Sequence, residues 1–334
     1  MKLIFSILSF FIYLNLYSQN GLDDGDLFIL QTGINKISVN KFENEIIKEI
    51  KTISINKNSI FSTDQKNIVV ILNPSKKSIL LYNIETSKKN RISIPYDIKP
   101  KSLLIDDDNI FIGGEMENEM LVQYNLKTQK WFSLEIPDEI KFRGKSIDDI
   151  VINENYLIAI DNIVVPKYIL YYQLKCEGKL VFSHQKELKF NSSYESTHLA
   201  RIWNNYLGLY STTLNWGNYS EHITIYKGLD LKESFAISSD YNVKGNIKDI
   251  LLINNKLYVA NKNKGLGVLV IQDSLFNIKD NYEWDESNPQ IDESLIIYEP
   301  YPNEEIIKLT KIPKQDKFVI TLKDKKGTFR SKIK

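Results

Sequence analysis

The sequence predicts an all-β fold of repeated four-stranded antiparallel sheets, and three observations carry the prediction. Apolar residues alternate with polar ones over short runs, and nowhere do they keep a helical period over a dozen positions. The chain is rich in isoleucine and in tyrosine (19 residues), side chains that favour a pleated, half-buried surface. A strand–turn–strand pattern also recurs. The first residue after the first turn is Ile68 in KNIVVIL, Ile110 in DNIFIGG, Tyr156 in ENYLIAI and Tyr206 in NNYLGLY, then Lys256 in NNKLYVA and Lys317 in QDKFVIT. These anchors lie 42, 46, 50, 50 and 61 residues apart, against the roughly 40–50 residues of a ring-forming blade repeat. Asn or Asp stands in the turn before each anchor, where its side chain can bond the nearby backbone.

The fold is therefore expected to be a β-propeller of four-stranded blades, seven in number, with six as the alternative. The best-formed unit is Lys101 to Pro137, which reads as four short strands. It has an apolar lead-in, a turn at Asp107-Asp108-Asn109, Ile110-Phe111-Ile112, a run ending Tyr124-Asn125-Leu126, and Trp131 to Ile136. A second landmark follows the anchors: Tyr82-Asn83-Ile84, Tyr124-Asn125-Leu126, Tyr172-Gln173-Leu174 and Tyr226-Lys227. With LLYNIETSKK and VQYNLKTQK, these landmarks resemble the third strand of WD-type and YVTN-like propeller repeats. The resemblance covers about residues 55–334. The Trp-Asp and Gly-His signatures of true WD repeats are missing, so the likeness implies an architecture and no residue role.

From the N-terminus, Lys2 is followed by an almost wholly apolar stretch from Leu3 to Leu16 and then Tyr17-Ser18. A positive start, a short apolar run and a small residue at Ser18 make residues 1–18 a signal peptide. The run is shorter than the ~20 residues a membrane span needs. The expected address is the periplasm, cell surface or exterior, with no integral membrane segment after cleavage. Residues 19–334 form one domain. Three strand-like runs, Leu27 to Leu30, Ile34 to Val39 and Ile46 to Ile50, supply a seventh blade or a closure, since Leu27 precedes Ile68 by 41 residues. The single cysteine, Cys176, excludes an intrachain disulfide. Between the last two anchors lies an acidic insertion, about 280–305, with no Lys or Arg and with Tyr282, Trp284, Tyr298 and Tyr301. It is read as a solvated acidic loop beside a Lys-rich tail from Lys308 onward, with binding of a cation or a basic partner as the alternative, and it and the long Trp216 loop are the expected contact surfaces. Three strands, Ile306–Ile312, Phe318–Leu322 and Thr328–Ile333, close the chain.

A net charge of +1 gives no long-range pull toward nucleic acid. No HExxH, Cys/His zinc, GxSxG, P-loop or dinucleotide pattern occurs. Candidate ligand positions come from the ring itself, where sites lie at a mouth of the central channel. Counting back 10 and 8 residues from three anchors gives Ser146 and Asp148, Ser196 and His198, and Asn246 and Lys248. The turns after the second strands add Glu115, Asn215, Trp216, Asn261 and Lys264. His198 and Arg201 form the most interesting pair. The ligand-binding candidates are thus Glu115, Asp148, His198, Arg201, Asn215, Trp216, Asn261 and Lys264, with no catalytic residue assigned. The expected function is a monomeric, non-catalytic binding or scaffold module for a protein, peptide or glycan. The alternative is a calcium-dependent hydrolase or lyase of the lactonase-like propeller type, with Glu115, Asp148, Asn215 or Asn261 converging on one ion.

Overall fold

The computed structural model describes residues 26–334 except the connections 116–119, 142–145, 154–155, 162–167, 175–178, 189–194, 204–205, 216–217, 229–230, 239–245 and 278–289. The expected signal peptide, Trp216, Cys176 and the aromatic pair Tyr282 and Trp284 lie outside the described residues.

Seven sheets form the ring. Blade 1 holds β1 (Phe28–Gly33), β2 (Lys36–Glu43) and β3 (Ile46–Ser54). Blade 2 holds β4 (Ile60–Thr63), β5 (Ile68–Asn73), β6 (Ser78–Asn83) and β7 (Lys89–Ser93). Blade 3 holds β8 (Lys99–Asp106), β9 (Asn109–Glu115), β10 (Leu121–Asn125) and β11 (Lys130–Ser133). Blade 4 holds β12 (Ile147–Ile152), β13 (Leu157–Asp161), β14 (Tyr168–Leu174) and β15 (Leu180–Glu187). Blade 5 follows with β16 (Glu195–Trp203), β17 (Tyr206–Asn215), β18 (Asn218–Lys227) and β19 (Glu233–Ser238). Blade 6 opens with β20 (Ile247–Ile253), β21 (Lys256–Asn261) and β22 (Gly265–Val270). The chain then leaves blade 6, lays β23 (Gln290–Asp292) parallel to the edge of β19, and returns as β24 (Ile297–Glu299) beside β22. Much of the acidic stretch from Gln290 is therefore sheet edge rather than loop. Blade 7 holds β25 (Glu304–Lys311), β26 (Phe318–Asp324) and β27 (Phe329–Ile333).

All six anchors fall within one residue of the start of a second strand. The turns before them work as the Asn and Asp content implies: Asn254 and Asn255 both take positive φ (48° and 50°) in a two-residue hairpin between Ile253 and Lys256.

Six apolar clusters fill the spaces between blades, as the two-faced alternation requires. Val70, Leu72 and Ile112 lie between blades 2 and 3, and Phe111, Ile150 and Tyr172 between blades 3 and 4. The largest cluster joins blades 5, 6 and 7 through residues such as Phe235, Val259 and Phe318. Gly208 is a fixed point of this packing: a Cβ there would lie 2.3 Å from Cζ3 and 2.6 Å from Cη2 of the buried Trp203. Gly208→Ala is expected to cost about 1–3 kcal/mol by overpacking. Urea unfolding followed by tryptophan fluorescence reads both the loss and the displaced indole.

The three N-terminal runs form a blade of their own. Blades 1 and 7 are each three-stranded, and among the described residues no strand is shared between them. Their joint is a small apolar cluster of Phe28, Leu30, Ile312 and Val319, flanked by Phe42, Ile47 and Ile333. The spacing of Leu27 to Ile68 places β1 where other blades have their second strand. Its start is tied to the next blade by the amides of Asp26 and Leu27, which both donate to the Gln65 carbonyl at 2.8 Å. Among the described residues blade 1 has three strands, and β1 is the one that meets both β25 and β4.

Candidate functional site at the channel mouth

The innermost strands β4, β8, β12, β16, β20 and β25 neighbour one another in succession around the axis. Five of them carry a bulge near their start, between Pro100 and Ser102, Ile147 and Asp149, Thr197 and Leu199, Ile247 and Asp249, and Ile306 and Lys308. A bulge inserts one residue and re-aims its side chain. The inserted residues are Lys101, Asp148, His198, Lys248 and Ile307, and Lys101, His198 and Lys248 are exposed. Because Ile147 pairs with Asp161, Glu195 with Thr213 and Ile247 with Asn261, strand starts and second-strand ends share one end of the ring. Glu115, Asp148, His198, Asn215, Asn261 and Lys264 all sit at that end.

Their partners separate them into roles. Asp148 pairs with Lys101 at 2.9 Å and accepts from Ser146, and Glu115 pairs with Lys99 at 3.3 Å. His198 Nε2 meets the Thr212 hydroxyl at 2.7 Å. Lys248 approaches Glu305 at 3.8 Å. Lys264 pairs with Glu293 at 2.7 Å and lies 5.5 Å over the Tyr298 ring, which brings the acidic insertion to the mouth. Asn261 is buried, and its carbonyl oxygen closes its own turn by accepting from the amides of Asn263 and Lys264, both at 2.9 Å. Asn215 ends β17 opposite Asn218. Among the described residues no three of His, Cys, Asp or Glu are grouped to hold a metal ion.

His198 and Arg201 do not act together. Arg201 points inward, 9% exposed, and donates to Asp249 Oδ1 at 2.9 Å, with Asp149 Oδ2 at 4.0 Å. Here lies what counting from the anchors missed. At three of the five bulges the residue that follows fastens one blade to the next. Ser102 Oγ donates to the Ile147 carbonyl at 3.4 Å, Asp149 Oδ2 accepts from the Ala200 amide at 2.8 Å, and Asp249 Oδ2 accepts from the Leu309 amide at 3.0 Å. Between blades 5 and 6 the task falls to Glu221, whose Oε1 accepts from the Asn246 amide and the Tyr210 hydroxyl, both at 2.7 Å. Burial raises the pKa of Asp149, against the pull of Arg201 and of two backbone amides. The signal was present in the sequence: SIDDI at 146–150 and NIKDI at 246–250 repeat one Asp in one place.

An apolar groove of about 520 Å³ is lined by β22, β24 and the turns beside them, through Val268, Val270, Leu275, Leu295 and Ile297 among others. Ile297 is 78% exposed there. Among the described residues no helix is long and apolar enough to cross a membrane.

No family model matches the chain, and no curated protein matches its sequence. Solved structures do match its shape. A Kluyveromyces lactis Hsv2 structure described as "complete loop 6CD" aligns with a TM-score of 0.54 at 10% identity, over 95% of this chain and 96% of that one. The computationally designed Ika8 protein aligns at 0.51 and 11% identity, over 96% and 88%. The N-terminal domain of Nup159 aligns at 0.51 and 10% identity, over 95% and 89%. At such identities the likeness establishes the architecture alone, and with the seven sheets it makes this chain a seven-bladed β-propeller.

Proposed function

We propose that this propeller is an exported, non-catalytic binding module that takes a protein, peptide or glycan on the face carrying the channel mouth. The observation that carries the reading is the repeated bulge on five successive innermost strands. It turns Lys101, Asp148, His198 and Lys248 toward one end of a rigid scaffold, with Lys264 beside them. Binding residues on short segments held by a packed framework keep their geometry without an ordering cost on association. The mouth mixes both signs of charge in pairs whose lysines reach solvent. Such pairs contribute only ~0–1 kcal/mol to stability, which leaves them free to exchange partners. Export is supported by the positive start, apolar run and small residue at 1–18.

The test uses a panel of immobilised peptides and oligosaccharides. Lys101→Glu/Lys248→Glu/Lys264→Glu should abolish the ligands retained by the wild type. Lys66→Glu/Lys127→Glu, at the hairpins of the opposite end, should keep them. Ligands that survive the first variant and vanish with the second would place the binding face elsewhere. Mass analysis of the N-terminus after expression with a secretion pathway checks cleavage near Ser18.

A further inference from the structure

Lys308 stands at the place in β25 that Asp149 and Asp249 occupy in β12 and β20, the first residue after the bulge. In blades 4 and 6 that side chain crosses to the next innermost strand and accepts its amide. Lys308 carries only N–H donors and cannot accept an amide in the same way. Its Nζ ends instead 5.4 Å over the ring of Phe61 in blade 2. Among the described residues it makes no ion pair and no hydrogen bond. Channel solvent still reaches the side chain, which is half-buried. Its ammonium is nevertheless enclosed enough for desolvation to lower its pKa, with Arg201 adding to the fall and Asp249 and Asp149 opposing it.

Two further anomalies lie beside it. Thr321 pairs directly with Lys308 across the sheet and so presents its side chain to the same face, and Thr310 is two residues along β25. Both hydroxyl oxygens are buried and have no hydrogen-bond partner. A desolvated cation without a direct ion pair and two buried hydroxyls without hydrogen bonds all cost stability, and folds keep such departures chiefly where function needs them. Lysine and two hydroxyl donors beside an aromatic wall are the groups that receive a carboxylate on a flat apolar body.

We propose that Lys308, Thr310, Thr321 and Phe61 form a carboxylate-binding site inside the channel for an organic acid with an aromatic or otherwise flat body. The site is independent of the mouth reading, because none of its residues belongs to the mouth, and either can fail alone.

Benzoate is the probe, titrated calorimetrically into the full-length folded protein. Wild type should bind with Kd of about 1 mM, the strength of a few polar contacts. Lys308→Met should weaken binding roughly tenfold or more while melting at or above the wild-type temperature, because an unpaired desolvated charge has been removed. Thr310→Val/Thr321→Val should weaken it several-fold. Wild-type affinity should also fall as pH rises through the depressed pKa of Lys308, since only the ammonium attracts the anion. No heat of binding at tens of millimolar benzoate, or equal affinity in wild type and Lys308→Met, overturns the proposal. If Lys308→Met does not fold, unchanged affinity in the double threonine variant overturns it instead.

Discussion

Asp249→Ala is expected to destabilise the protein by about 3–5 kcal/mol, the cost of leaving a buried charge without its partner. The Asp249 side chain is 2% exposed and serves three blades at once. Oδ1 accepts from Arg201 of blade 5 at 2.9 Å and from the Ile250 amide of its own strand at 3.0 Å, while Oδ2 accepts from the Leu309 amide of blade 7. Alanine leaves the Arg201 guanidinium, whose Nε already has no partner, with only the Ala200 carbonyl at 2.8 Å and Asp149 at 4.0 Å, and leaves a buried amide unmet. Asp249→Asn should cost less, because its carbonyl oxygen can still accept from Leu309. The double variant Arg201→Met/Asp249→Leu should recover most of the loss, since apolar side chains of similar size often replace a buried pair at little cost. Urea unfolding of the four proteins decides the matter. A loss below about 1 kcal/mol for Asp249→Ala, the size of an ordinary substitution, would mean that the blades are not fastened by this carboxylate.

The ring was legible in the sequence because its units are local. The short apolar runs within KNIVVIL or NNKLYVA and the Asn-rich turn before them are settled over a few residues, so the anchors land on real strand starts. The mouth was legible for the same reason. The bulge recurs at a nearly fixed distance before the anchor, and counting back to Asp148, His198 and Lys248 found the inserted residues. What escaped was set by distant contacts. Asp249 resembles any strand-end carboxylate until Leu309, sixty residues later, is placed against it. The strand-forming part of the acidic stretch escaped because β23 pairs with β19, from which it is separated by the whole of β20 to β22. Lys308 was read as the first residue of a basic tail. Only its place on β25, where it reaches Phe61 of blade 2 and lies beside Thr310 and Thr321, makes it an enclosed cation with no direct ion-pair partner among the described residues.

The joint between blades 7 and 1 gives the second large effect. Phe28→Ala should cost about 3–5 kcal/mol, as expected for truncating a buried aromatic. Phe28 is 3% exposed and is the largest member of the four-residue cluster that closes the ring. Phe111→Ala, at a side chain 1% exposed between blades 3 and 4, should cost a similar amount. The two should differ in where the protein opens. Blades 3 and 4 are also joined by Ser102 to the Ile147 carbonyl and by an isolated bridge from Glu115 to Ser146. Across the closing joint the polar links are exposed pairs, Lys314 with Asp26 at 3.0 Å and Lys317 with Glu45. Such pairs hold little. Losing Phe28 should therefore release β1 and β26 before the rest of the ring. Hydrogen exchange would show faster exchange confined to blades 1 and 7 in Phe28→Ala, and a loss spread over the ring in Phe111→Ala. Equal protection of β1, β13 and β26 in Phe28→Ala would mean that the ring opens only as a whole. The closing joint would then have to be as strong as those between the shared-register blades, and a four-residue apolar cluster would not explain it.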